Sequence, residues 1–455
     1  MIRVVLFIFM TGLVMQFPVT QHLIVDMACK RLDYADDVCS DLSKHPEAED
    51  AVQAEASRIM IWQSVFCDIP GAMSALILGA QSDKVGRKPI MLMPIVGSTL
   101  LVFTLLLGSL VQKASMVFLL TSSVVLGLSG GIGTFLTAVT NFVTDTTPEE
   151  QRTERLSKTM PFMGLGMIAG FISSGFLTQT FGVTAVYLID FLMMISVVYL
   201  VVFHLEEPSR VADESSADDG RIKDKPIGVV ASARENLTAG VRVFTSQKSR
   251  TAKLQLAVLT ISGMVGMAIM VAEGNLLMLY TKKAPFSFTP TTFSLHTALK
   301  NGLGIVGQAV GTTVFFRVVG ERSIRNDFIL LQIASLGGCA INIFTGLASS
   351  SALLWLSTVL VMFCTPAQSA NGSIVSRLVS PQQKGAFMSL GTFLNTLAVP
   401  VASFVLNNIY SASVQTRPGL VFLFIATVHA VTFLAITYVV MFTLDRQVKD
   451  EKKTE

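Results

Sequence analysis

The sequence predicts an all-α membrane protein whose twelve transmembrane helices form two pseudo-symmetric halves of six. Of its 455 residues, 51% are hydrophobic and 14% are charged, and the mean hydropathy is +0.61. This apolar content exceeds what the cores of a soluble protein bury. The apolar residues are grouped in long runs, and a polar stretch separates the sixth run from the seventh.

Twelve of the runs are long enough to cross a membrane, which takes about 20 mainly apolar residues. The predicted helices 1 to 12 lie at 2–24, 57–79, 90–111, 115–142, 158–180, 184–204, 254–280, 291–318, 327–348, 351–377, 385–411 and 418–443. The first run is too long for the apolar region of a signal peptide, so we interpret it as helix 1.

The basic residues predict the orientation of these helices. Of the 34 Lys and Arg residues, 25 fall in loops and helix ends on one side, eight fall on the other, and Lys300 lies within a span. The positive-inside rule therefore places both termini in the cytosol. The largest predicted outside segment, 26–56, is acidic. We interpret it as a solvated loop, and the alternative is an electrostatic funnel for cationic ligands.

The predicted domains are a six-helix half at 1–204, a cytosolic linker at 205–252, a second six-helix half at 253–444 and a cytosolic tail at 445–455. Within the linker, the polar residues 213–219 have the composition of a disordered segment. A short polar run that ends at Arg152 follows predicted helix 4, and a similar run that ends at Lys384 follows predicted helix 10. Such internal repeats are typical of secondary transporters.

The loop between predicted helices 2 and 3 is a polar segment that carries a sequence motif. It reads Gly79-Ala-Gln-Ser-Asp83-Lys-Val-Gly86-Arg87-Lys88. This run resembles, position for position, the G-x-x-x-D-x-x-G-R-[RK] loop of the major facilitator superfamily. The resemblance implies transport by rocking of two six-helix halves.

The same loop residues are candidates for a conformational latch. Gly79 and Gly86 supply backbone freedom, and Asp83 can meet a helix N-terminus or an arginine. Arg87 and Lys88 can donate to carboxylates or helix carbonyls. We assign Arg152 and Lys384 to the same latch. The alternative is that the basic residues only anchor the topology.

A weak copy of the motif follows predicted helix 8, at 317–322, with Arg317 at the aspartate position. The first half is therefore expected to hold the stronger latch.

Three charged residues lie within predicted spans: Asp68 in helix 2, Glu273 in helix 7 and Lys300 in helix 8. An intramembrane charge is costly, so each is a candidate for solute binding or proton coupling. An ion pair between the halves is one expectation, and a static bridge from Asp68 or Glu273 to Lys300 is the alternative. His296, one turn before Lys300, can titrate near neutral pH. Asp190, nearer the outer end of helix 6, is expected to reach water.

Neutral polar residues within the spans can line a cavity or simply bond between helices. They include Gln16, Gln21, Asn275, Asn301, Gln368 and Asn371. Cys29 and Cys39 share the first outside loop, and either a disulfide or free thiols fit the sequence. Glycine pairs such as Gly166-x-x-x-Gly170 predict close helix packing.

The sequence contains no P-loop, zinc-protease, C-x-x-C or G-x-S-x-G motif, so we predict neither an enzyme nor an ATP-driven pump. No cofactor, metal or nucleic-acid partner is expected.

Shorter runs resemble solute carrier family 46, which includes proton-coupled folate transport. They lie at 17–21, 78–83, 143–155, 277–280 and 385–387. The resemblance implies movement of organic anions or similar solutes, often driven by protons. Met160 stands where the family has a membrane glutamate, so the resemblance does not extend to that residue.

The sequence predicts a monomeric secondary transporter of a small organic solute, an organic anion or a folate-like amphipathic molecule, in which proton symport is one form. The alternatives are a facilitative uniporter, a drug:proton antiporter, and a transporter-like receptor or scaffold. Lys452-Lys453 near the C-terminus matches a dilysine retrieval signal or a solvated basic end. The plasma membrane and an internal membrane, lysosomal or of the endoplasmic reticulum, both remain open.

Overall fold

A computed structural model describes residues 1–110, 116–147, 151–207, 229–247, 249–283, 285–320 and 323–441. Within these ranges the chain is helical and contains no β-strand. Ten helical segments within these ranges are long and apolar enough to cross a membrane, and two of them, Met116–Asp145 and Pro290–Val319, each combine shorter helices.

The described part of the first half contains eight α-helices. They are α1 (Ile2–Arg31), α2 (Asp36–Ser40), α3 (Pro46–Val85), α4 (Arg87–Leu110), α5 (Met116–Leu128), α6 (Gly131–Asp145), α7 (Arg152–Thr159) and α8 (Pro161–His204). Predicted helix 4 is divided into α5 and α6 because Gly130 adopts φ 88°, which interrupts the helix. Predicted helices 5 and 6 are the two parts of α8, and they meet at a kink at Gly182, whose φ of 80° and ψ of 173° are not helical.

The linker and second half contain α9 (Val229–Ser246), α10 (Arg250–Lys282), α11 (Pro290–Val306), α12 (Thr312–Val319), α13 (Ile324–Gly346), α14 (Ser351–Val359), α15 (Val361–Cys364), α16 (Ala367–Leu378), α17 (Pro381–Ser413) and α18 (Leu420–Val439). A π-helical turn, Gly307–Gly311, joins α11 to α12. Predicted helix 10 consists of α14 to α16, and the break before α16 contains Pro366, which has no amide hydrogen to donate.

The acidic loop predicted at 26–56 is much shorter, because α1 continues to Arg31 and α3 begins at Pro46. The added turns of α3 bury Val52 and Ala56 completely. These residues are one turn apart, and α3 packs against α17, so burial stabilises a helix where the polar sequence predicts a loop.

Cys29 and Cys39 form a disulfide between α1 and α2, with their Cα atoms 5.9 Å apart. We call this end of the bundle the disulfide end, and the opposite end, where α3 meets α4, the Gly86 end. The predicted linker includes α9, which contacts α3 and α17. The polar residues 213–219 and the tail from 442 lie outside the described residues.

The halves meet where α3 packs on α17 and α8 packs on α11, with a smaller contact of α1 and α10. Within the first half, α1 packs closely on α8. A Cβ atom on Gly170 would lie 2.4 Å from the carbonyl oxygen of Thr11. The glycine therefore permits the approach of the two backbones.

Candidate functional site

Glu273 on α10 and Lys300 on α11 form an ion pair. Lys300 Nζ donates to Glu273 Oε1 over 2.7 Å, and the two side chains are 27% and 12% exposed, respectively. Both residues belong to the second half. A buried ion pair of this kind is sensitive to the loss of either charge, because the remaining charge is left uncompensated.

His296 lies on the same helix as Lys300, one turn away. Its Nε2 is 2.8 Å from the hydroxyl of Thr358, and its ring lies edge-on to Trp355 at 5.0 Å. A small pocket is lined by His296, Thr358, Glu273 and Lys300 together. Glu273, His296 and Lys300 therefore share one pocket. The sequence did not predict Thr358, which lines the pocket, or Trp355, which packs against His296.

Gln21 and Asn275 connect the halves near this pair. Gln21 Nε2 donates to Asn275 Oδ1 over 2.8 Å, which joins α1 to α10. Asn275 follows Glu273 by two residues. Asn301 instead donates to the carbonyl of Thr297 in its own helix, over 2.8 Å.

Asp68 is not one of the residues that line the pocket of the Glu273–Lys300 pair. It is half-buried on α3, where it accepts a hydrogen bond from Ser64 one turn earlier. The second-half lysine pairs with Glu273. The structure therefore places the first-half acid and the ion pair in separate surroundings.

Asp190 on α8 corrects an expectation. We expected it to reach water, but its side chain is completely buried. Neither carboxylate oxygen has a hydrogen-bond partner among the described residues. The prediction was wrong because α1 covers this face of α8 at Gly12, where a Cβ atom would lie 2.4 Å from Asp190 Oδ1.

A second pocket lies between the halves at the disulfide end. The first half contributes Pro18, His22 and Gly175, and the second contributes Lys282 and Phe293, among other residues. Two basic side chains, His22 and Lys282, thus line a pocket with otherwise mainly apolar or small neutral walls.

Polar contacts between the halves also cluster at the disulfide end. They are Tyr410 Oη to Gln53 Oε1 at 2.6 Å, Lys283 to Asp50, and Thr291 Oγ1 to the carbonyl of Gly175 at 3.0 Å. These contacts close the halves together at this end.

At the Gly86 end, the candidate latch residues contact the ends of other first-half helices. Arg87 Nε lies 2.6 Å from Asp145 Oδ2, at the end of α6. Lys88 Nζ donates to the carbonyl of Val202 over 2.7 Å, and its amide donates to Glu207 over 3.0 Å. Gly86 adopts φ 106°, which permits the sharp turn.

The surroundings of Gly79 and the side chains of Asp83, Arg152, Lys384 and Gln368 lie outside the described part of the structure.

The second half has an ion pair at the corresponding place with the signs exchanged. Asp327 near the start of α13 lies 3.5 Å from Arg377 near the end of α16, and it accepts a hydrogen bond of 2.6 Å from Ser373. In the first half the basic residue begins α4 and the acidic residue ends α6. The weak sequence copy at 317–322 did not predict this pair, because Asp327 and Arg377 are 50 positions apart and lie in different helices.

The sequence matches the family model described as Major Facilitator Superfamily over residues 53–403. The chain belongs to the major facilitator superfamily. Its similarity to solved members extends over nearly the whole fold. The human organic anion transporter MFSD10 (TETRAN) superposes with a TM-score of 0.64 at 17% identity, covering 96% of this chain and 98% of that one. The nucleoside transporter NupG gives 0.62 at 14% identity, covering 97% and 99%.

Among curated relatives, this superfamily chain is similar to the proton-coupled folate transporter of Bos taurus. The two are 25% identical over 422 residues, which cover 91% of this chain and 86% of the relative. It is also 22% identical over 439 residues to the lysosomal proton-coupled steroid conjugate and bile acid symporter SLC46A3 of Gallus gallus, covering 94% and 91%.

These similarities confirm the predicted resemblance to solute carrier family 46 and the predicted superfamily fold. The chain is a multi-pass membrane protein of the transporter type, and its relatives are transporters rather than enzymes.

Proposed function

We propose that this protein is a secondary active transporter that moves a small organic anion together with protons. The observation that carries the proposal is the 2.7 Å ion pair of Glu273 and Lys300, which is only partly exposed within the bundle. The names of two relatives of the chain describe proton-coupled transporters.

The ion pair offers a physical route to coupling. An uncompensated charge in the centre of a membrane helix costs roughly 2.5–3.5 kcal/mol on insertion scales. When Glu273 takes up a proton, Lys300 loses its counter-ion. An anionic solute can then replace the carboxylate beside Lys300. Proton binding and anion binding thus favour each other, which is the thermodynamic requirement for symport.

The contact of Gln21 with Asn275 links this event to movement of the halves. Asn275 is two residues from Glu273 on α10, and its partner belongs to α1 of the first half. A change in the position of α10 therefore alters a contact between the halves. Alternating access by rocking of the halves follows from such a link.

The pocket at the disulfide end supports an anionic, amphipathic solute. Lys282 provides a basic group, His22 provides an imidazole that can donate a hydrogen bond, and Pro18, Met278 and Phe293 provide apolar surface. The names of the relatives mention folate, steroid conjugates and bile acids, which share an anionic group and a large ring system. We propose a solute of this class.

The orientation belongs to the same proposal. The excess of Lys and Arg in the loops and helix ends on one side supports a cytosolic location for both termini. The disulfide of Cys29 and Cys39 then faces the lumen or the cell exterior, where disulfides persist. In this proposal the protein works as a monomer in the bilayer.

The test uses purified full-length protein in proteoliposomes. Uptake of labelled folate, a bile acid and a steroid sulfate is measured with and without an acid-outside pH gradient. We expect the gradient to drive accumulation of at least one solute. Uptake that ignores the gradient would indicate a uniporter. Specific binding of these solutes without flux would indicate a receptor or scaffold.

Variants at the ion pair locate the coupling. Glu273→Gln is expected to abolish the response to the gradient while solute exchange continues. Lys300→Ala is expected to raise the solute KM roughly tenfold or more, because a charged hydrogen bond contributes about 1.5–3 kcal/mol. Asp68→Asn is compared in parallel. Arg58→Ala, which removes an exposed basic side chain at the disulfide end, is the matched control. Unchanged proton-driven flux in both ion-pair variants would reject the assignment.

A further inference from the structure

The seam between α1 and α8 contains a buried acid that the proposed coupling pair does not use. Asp190 is completely buried, and neither carboxylate oxygen has a partner among the residues that the structure describes. It lies in the first half, whereas Glu273 and Lys300 lie in the second. A buried carboxylate without a donor or a cation is strongly disfavoured as an anion.

The residues that face Asp190 follow regular helical spacing. Gly12, Gln16 and Thr20 lie four residues apart on α1 and form one stripe. Tyr187 and Asp190 lie on one face of α8. The hydroxyls of Thr20 and Tyr187 are 3.2 Å apart, and Gly12 touches Asp190 and Met194. The part of α8 after Gly182 runs antiparallel to α1, and these contacts fix its register, so Gln16 lies level with Asp190.

Gln16 is also buried, and its Oε1 lacks a partner within the described residues. Helical side chains lean toward the N-terminus of their helix, so the Gln16 side chain leans toward the turn of Gly12. An acceptor on α1 and two acceptors on α8 thus share one seam. A proton on the carboxyl group converts one of those acceptors into a donor.

No cation faces Asp190 among the described residues of the helices packed around it. On α8, the titratable neighbour is Tyr187, whose hydroxyl pairs with Thr20. On α1, the facing residues Gly12, Gln16 and Thr20 carry no charge. On α4, Phe103 packs against Phe191, the residue after Asp190, with ring centroids 5.3 Å apart.

We propose that Asp190 is a proton-binding site in this conformation and that its protonated carboxyl group donates to Oε1 of Gln16. This site is separate from the Glu273–Lys300 pair and requires no solute. Separation of α1 from α8 would break the hydrogen bond and admit water to the carboxyl group.

Infrared difference spectroscopy tests the proposal on the full-length protein in lipid at neutral pH. We expect the wild-type minus Asp190→Asn spectrum to contain the C=O band of a protonated carboxylic acid, shifted in deuterium oxide. Asp68→Asn is the matched control, and the Asp190 band should persist in it. A carboxylate band in place of the acid band would show an ionised, hydrated Asp190 and would overturn the proposal.

Gln16→Leu provides a second test that leaves the acid in place. Loss of the amide acceptor is expected to shift the Asp190 C=O band to higher frequency, since a weaker hydrogen bond strengthens the C=O bond. A band at the wild-type frequency would show that Gln16 is not the acceptor. This measurement also serves if Asp190→Asn does not fold.

Discussion

Tyr410 on α17 donates from its hydroxyl to Oε1 of Gln53 on α3 over 2.6 Å. Both side chains are buried, and they belong to different halves. Gln53 in turn donates to Glu49 over 3.3 Å. This contact lies at the disulfide end, so it stabilises the conformation in which that end is closed.

Tyr410→Phe is therefore expected to favour opening of the disulfide end. A hydrogen bond contributes about 1 kcal/mol, so the open population should rise roughly fivefold. Double electron–electron resonance measures this opening as a change in the distance between spin labels at the exposed positions Lys44 and Arg417. The background variant lacks the three free cysteines, which are Cys67, Cys339 and Cys364.

The control for this change is Tyr199→Phe, which removes a tyrosine hydroxyl from a half-exposed position on α8. Its distance distribution should match that of the parent. If Tyr410→Phe also leaves the distribution unchanged, the contact with Gln53 does not hold this end closed.

The two ion pairs at the Gly86 end differ in burial, and this predicts different costs. The Asp145 side chain is 38% exposed, whereas that of Asp327 is 2% exposed. Removing the cation leaves Asp145 hydrated but leaves Asp327 buried. Arg87→Ala should thus cost less than about 1 kcal/mol of unfolding free energy, and Arg377→Ala roughly 1–3 kcal/mol.

Thermal unfolding in detergent compares these variants. Arg377→Lys keeps the positive charge, so it should lose less stability than Arg377→Ala. Equal losses for Arg87→Ala and Arg377→Ala would contradict the role assigned to burial.

The close approach of α1 and α8 predicts a steric cost at Gly170. In Gly170→Ala, the new Cβ would lie 2.4 Å from the Thr11 carbonyl oxygen and 3.2 Å from the Met15 amide. Both contacts are with backbone, so the helices must separate, at a cost of about 1–3 kcal/mol.

Gly266→Ala on α10 is the matched control, since no heavy atom of the described chain lies within 4 Å of its Cβ position. It should gain up to about 1 kcal/mol from helix propensity. The two melting temperatures should therefore move in opposite directions. A neutral Gly170→Ala would mean that the seam is loosely packed.

The disulfide of Cys29 and Cys39 closes a short loop, because the two cysteines are ten positions apart in the sequence. Reduction should lower the stability of the disulfide end by about 2–3 kcal/mol, because the unfolded chain regains conformational freedom. Melting with and without reductant measures this loss. Cys39→Ser should show the same loss and no response to reductant; a reductant effect in that variant would point to a different cause.

The sequence determined the class of fold, the positions of the apolar runs and the loop motif. These properties are local, because hydropathy over about 20 residues sets a span and the loop residues are adjacent in the chain. It also singled out Glu273 and Lys300, since a charge within an apolar run is visible without knowledge of its partner.

The tertiary structure decided which polar residues meet. It buried Asp190 beneath α1, paired Asp327 with Arg377 and joined Gln53 to Tyr410 across 357 residues of sequence. It also extended α3 to Pro46, through polar residues that the sequence predicts as loop. Each outcome depends on how two distant helices cross and which faces they cover, and no local pattern of residues specifies that geometry.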